Sequence, residues 1–139
     1  MTKKKPTKHW VYSPRKPTPP KVPEATKTAV SEVANQLVAD VLKPAHLKPP
    51  PDESQFNYIV DIFTKWYRSY FYFCATYRCP HENCISEFFE TKFARLTYAG
   101  EDRYHLAYMR HTGEWWQVYS DYTLDECLGT IRQESLFHP

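Results

Sequence analysis

Cys79-Pro80-His81-Glu82-Asn83-Cys84 is the stretch whose residue types best suit chemistry. Two thiols flank an imidazole, and Cys74 lies five residues earlier. Zinc takes four nitrogen or sulfur ligands in a tetrahedron, and structural sites usually draw them from two short knuckles. Here one wide knuckle stands alone, so Cys79, His81 and Cys84 make a ligand candidate without its fourth member. Zinc is the one cofactor the pattern raises. A Cys79–Cys84 disulfide, or small buried side chains around a turn, are the competing readings. Acid–base and nucleophilic chemistry find less support. Neither Gly-x-Ser-x-Gly nor His-Glu-x-x-His occurs. With glycine only at 100, 113 and 129, a glycine-rich phosphate loop is excluded. His105, His111, Asp61 and Glu114 would have to converge on a sheet to act together. The expectation is a non-enzymatic protein without a small-molecule substrate.

The N-terminal arm is the second place where residue types suggest a partner. Residues 1–28 hold eight Lys or Arg against one acid, a net of +7. Residues 29–139 hold ten against fifteen, a net of −5. Such asymmetry points to an interaction arm. Lys3, Lys4, Lys5, Lys8, Arg15 and Lys16 surround Trp10 and Tyr12. Cations can neutralise phosphates while the rings stack on bases. The expected partner is nucleic acid or a ribonucleoprotein. Docking of the arm on its own acidic body competes with this reading. Lys16 and Pro19 start an SH3-type ligand, but Val22 stands where its second proline belongs, so the prolines read as a spacer.

The elements that must position these residues follow from pattern. Residues 1–23 carry six prolines and read as an extended tail. Over 24–43, Val30, Val33, Ala34, Leu37, Val38 and Val41 recur at helical steps, and Pro44 supplies a stop. Residues 44–54 read as a proline-rich linker. A sheet over 55–120 follows, with a break near Arg68-Ser69 and aromatic runs on both sides. Ala99-Gly100-Glu101-Asp102 and His111-Thr112-Gly113 mark hairpin turns. Tyr104, Leu106 and Tyr108 share a face, and in the last strand Trp116 and Val118 oppose Trp115, Gln117 and Tyr119. A helix over 123–134 opens on Thr123 with Glu126 three residues on, a capping box. The fold expected is α+β: about five antiparallel strands in a meander, either open or curled into a half-barrel, with a helix at each end.

The stretch from Tyr104 through Trp115-Trp116 to Leu124-Asp125-Glu126-Cys127-Leu128 resembles a bacterial family of small α+β domains of unknown function. The likeness covers about residues 90–137. It implies a bacterial, cytoplasmic setting and carries over no functional residue. No secretory signal or apolar run of membrane-spanning length appears, and reduced thiols are expected. Aromatics make up 17% of the chain, too many to bury on one face, so Trp66, Tyr67, Tyr70, Trp115, Trp116 and Tyr119 should leave an aromatic surface. A protein partner or a homodimer using that face is the alternative to nucleic-acid binding, and a zinc-stabilised structural domain is a third.

Overall fold

The computed structural model describes residues 19–47 and 56–139. Its elements are α1 (Glu24–Leu37), a π-helical turn (Val38–Leu42), α2 (Lys43–His46), β1 (Tyr58–Tyr67), β2 (Tyr70–Arg78), β3 (Phe88–Gly100), β4 (Arg103–Met109), β5 (Trp115–Tyr122), α3 (Leu124–Gln133) and a 3₁₀ turn (Ser135–Phe137). The strands pair in chain order, and every pair is antiparallel. The α+β meander follows the alternation of the sequence. The sheet stays open with β1 and β5 at its edges and does not close into a barrel.

The first helix does not stop at Pro44. A proline ring there would press on the Asp40 carbonyl of a regular α-helix. Instead the chain widens, with the Lys43 N–H reaching back to the Val38 carbonyl. The helix then runs on to His46, closed by the Leu47 N–H on the Lys43 carbonyl at 2.8 Å. Of the expected linker, residues 48–54 lie outside the described residues.

Turn chemistry sets the second half. Glu101 and Asp102 take φ of 44° and 56°, the two left-handed positions of a tight hairpin. Gly113, at φ 87°, closes the second turn, with its N–H on the Arg110 carbonyl at 2.8 Å. Asp102 also accepts from the Leu124 N–H at 3.2 Å, tying the first turn to the start of α3. The capping box forms: the Thr123 hydroxyl accepts from the Glu126 N–H, and the Glu126 carboxylate from the Thr123 N–H.

The described helices all lie on one side of the sheet. Ile62, Phe71, Phe73, Leu96, Tyr104 and Leu106 pack there with Val30, Ala34, Leu42, Cys127, Ile131 and Phe137 in one buried cluster. Trp66 turns to this side and donates its indole N–H to the Lys27 carbonyl at 3.2 Å. Tyr119 does likewise, bonding Glu134 at 2.9 Å. Simple alternation had put Tyr119 on a face with Trp115 and Gln117. The register shift between Leu106 and Ala107 makes Val118 an extra residue, which moves Tyr119 to the other face.

Candidate nucleic-acid interface on the open sheet face

Cross-strand neighbours share a face, so the register lays out the side that carries none of the described helices. One row runs Lys65, Tyr72, Arg95, Ala107 and Gln117 across β1 to β5. Beside it lie Tyr67, Tyr70, Thr97 and His105, and on the other flank Phe63, Cys74 and Lys92. Met109 pairs with Trp115 at the far edge. Rings and cations therefore interleave on this face.

Arg95 sits at the centre. Its guanidinium carbon is 5.0 Å from the Tyr70 ring and 4.9 Å from the Trp115 ring. Tyr72 bridges these rings, 6.2 Å from Tyr70 and 5.7 Å from Trp115. The Lys92 ammonium lies 5.4 Å from the Tyr72 ring. Such contacts hold cations flat on ring faces. Lys65 is paired with Glu90 at 3.7 Å, but among the described residues neither Lys92 nor Arg95 has a carboxylate partner. The Arg95 Nε is buried without a hydrogen-bond partner. A buried unpaired donor is costly. Partial burial raises the Tyr72 phenol's pKa, with Arg95 acting against that rise. Tyr72 therefore offers an uncharged ring at neutral pH. A pocket of ≈ 360 Å³ opens among Lys65, Trp66, Tyr67, Tyr72 and Lys92.

These residues escape strict alternation. Lys92 and Arg95 are three apart, which in a regular strand puts them on opposite faces. The shift between Phe73 and Cys74 makes Phe93 an extra residue, bringing Lys92 and Arg95 to one side. The Tyr70-x-Tyr72 spacing was the signal available beforehand. Of the expected aromatic surface, Tyr67, Tyr70 and Trp115 lie here. Trp66 and Tyr119 face the helices, and Trp116 is exposed with the Arg110 guanidinium 4.1 Å from its ring.

The arm residues Lys3, Lys4, Lys5, Lys8, Trp10, Tyr12, Arg15 and Lys16 lie outside the described residues. Where description begins, Pro19 and Pro20 pack at the β1–β2 turn. The Ser69 hydroxyl donates to the Pro20 carbonyl at 2.7 Å, and Val22 is buried. The arm thus joins the body at the end of the sheet that carries Tyr67 and Tyr70.

Two of the three zinc candidates are bonded to each other in this structure. Cys79 and Cys84 are joined in a disulfide, with Cα atoms 6.3 Å apart. A sulfur bonded to sulfur is not a thiolate ligand, so Cys79, His81 and Cys84 are no ligand set in this structure. Among the described residues no group of three or more His, Cys, Asp or Glu is placed to hold a metal. Reduced thiols hold for Cys74 and Cys127, both buried and free, and not for this pair. His105 accepts at Nδ1 from the Asp121 N–H at 3.3 Å, a backbone contact.

Comparison with known families places the chain at this point. The family described as Domain of unknown function (DUF3024) matches residues 22–139. The chain belongs to it. The matched span runs from Val22 through the helices and the whole sheet, and leaves out most of the basic arm. No curated protein and no solved structure matches the chain. Among the described residues no helix is long and apolar enough to cross a membrane.

Proposed function

We propose that this chain is a non-enzymatic binding module that holds single-stranded nucleic acid, free or within a ribonucleoprotein, against the open face of its sheet. The observation that carries the reading is Arg95, clamped between Tyr70 and Trp115 without an acid partner and next to Lys92 and Tyr72. Exposed ring faces stack on unpaired bases, which a duplex keeps to itself, while cations beside them meet phosphate. The basic arm enters at the same end of the sheet and would add phosphate contacts. The reading keeps the bacterial, cytoplasmic setting that the sequence resemblance implies.

Fluorescence anisotropy with labelled oligothymidylate and oligouridylate over a salt series tests it. The full chain should bind single strands more tightly than the matching duplex. Tyr72→Ala should weaken binding by about one to two decades, the worth of one stacked base. Lys92→Ala should flatten the log–log salt slope by about 0.7, the release expected from one lost single-strand phosphate contact. Deleting residues 1–18 should flatten it further and leave the Tyr72 effect in place. Binding that ignores both face substitutions would overturn the reading.

A second reading is a protein interface on this side of the molecule. It is favoured by the exposure of Tyr67 (55%) on the open face. Light scattering that gives a dimer, abolished by Tyr67→Ser, would favour it.

A further inference from the structure

The four cysteines fall into two classes. Cys74 and Cys127 are buried and free. Burial raises both thiol pKa values, that of Cys127 to about 12 with Glu126 and Asp102 adding to the effect. Thiols held protonated and out of solvent are poor nucleophiles. Cys79 and Cys84 are placed otherwise: they are half-exposed, they lie in the β2–β3 connection, and they are bonded to each other.

This cross-link is poorly placed to be a staple. It joins residues five apart within one connection and ties no two elements together. Closing so short a loop removes less freedom from the unfolded chain than a cross-link between distant elements would. The ends of the flanking strands are already clamped without it. The Cys79 N–H donates to the Glu87 carbonyl at 2.7 Å. Arg78 bonds the Glu87 carboxylate at 3.0 Å and the Tyr58 hydroxyl at 2.9 Å. The disulfide also borders an open depression of ≈ 310 Å³, which Arg78, His81 and Glu82 help to line. A small reagent can therefore reach the sulfurs while β2 and β3 stay paired.

We propose that Cys79 and Cys84 form a reversible thiol–disulfide exchange site whose co-reactant is a low-molecular-weight disulfide of the glutathione class. In the oxidative direction one cysteine thiolate attacks the small disulfide, forms a mixed disulfide and releases one small thiolate. The second cysteine thiolate then attacks the protein sulfur of that mixed disulfide and releases the other. The pair loses two electrons and two protons, and one small disulfide becomes two small thiols. Reduction runs the same steps backwards. The site is independent of the nucleic-acid reading, since neither cysteine lies on the open face rows.

Equilibrating the full chain in glutathione buffers of varied ratio, with acid quench, alkylation and peptide mapping, tests the proposal. The peptide holding Cys79 and Cys84 should pass between a dithiol and a disulfide differing by two hydrogens. The oxidised-to-reduced ratio should change tenfold for each tenfold change in the quotient of glutathione disulfide over squared glutathione. Cys74 and Cys127 should stay unalkylated until denaturant is added, and circular dichroism should be the same in both forms. Cys79→Ser should leave Cys84 as a stable glutathione mixed disulfide, and Cys84→Ser should do the same at Cys79. A pair that stays oxidised at every ratio is a structural cross-link, and a pair that stays reduced forms no disulfide. Either outcome overturns the proposal, as does unfolding on reduction.

Discussion

On the helix-covered face of the sheet, Phe71, Phe73, Leu96 and Leu106 are shut off from solvent in one apolar cluster. On the open face the same strands present Tyr72, Arg95 and Lys92, held by ring–cation contacts. The first arrangement is explained by folding. Apolar area leaves water, and the rings interlock, Phe71 with Trp66 at 4.9 Å and with Phe73 at 5.5 Å. The second is not, because a guanidinium with an unbonded Nε and no carboxylate beside it adds cost to the fold. On the reading proposed above, this is the face that meets the phosphates.

The sharpest way to break this contrast is to truncate one ring on each side. Phe71→Ala should cost about 3–5 kcal/mol, the range for deleting a buried aromatic ring. Tyr72→Ala, next along β2, should cost under about 2 kcal/mol, because its ring is half in water already. Denaturant midpoints at constant m-value check both. Equal losses would mean that the open face is as much core as the covered one.

Alkali should separate the faces next. Burial pushes the Tyr104 phenol from its ordinary 10.0, and the Cys127 thiol from its ordinary 9.0, to about 12 each. A folded-state value raised above the unfolded one favours the protonated group in the fold. The contribution is therefore complete below pH 9 and is lost as pH climbs toward 12. Denaturant midpoints measured across that range should fall, and the fall should be shallower in Tyr104→Phe and Cys127→Ala. Slopes are the readout, since each variant also changes packing.

The smallest expected effect lies at the edge of the covered face. Thr123→Ala removes the hydroxyl that caps α3 and should cost about 1 kcal/mol. Asp102→Gly removes the turn's hold on the same helix end without straining its φ of 56°, and should cost less.

Much of the covered face was legible beforehand. The Leu124, Cys127, Leu128 and Ile131 stripe, the capping box and the turns at Gly100 and Gly113 depend on residues close in sequence, where spacing is geometry. The helix past Pro44 was not legible, because a π-helical turn answers a clash that no periodicity reveals. Nor was the open face legible as a site. Lys92 and Arg95 meet only because Phe93 is an extra residue in β3, and Tyr119 leaves Trp115 only because Val118 is one in β5. A bulge inverts every assignment beyond it, and it is set by the partner strand.

By itself, the sequence determined the order of helices and strands, the charged arm, and an excess of rings over what one face can bury. Those follow from local sterics and composition. Only the tertiary structure decided which rings stay outside, which cations lie on them, and that Cys79 and Cys84 close on each other. Each of those depends on register across strands, or on the path of a loop, and so on contacts between residues that the chain order keeps apart or leaves ambiguous.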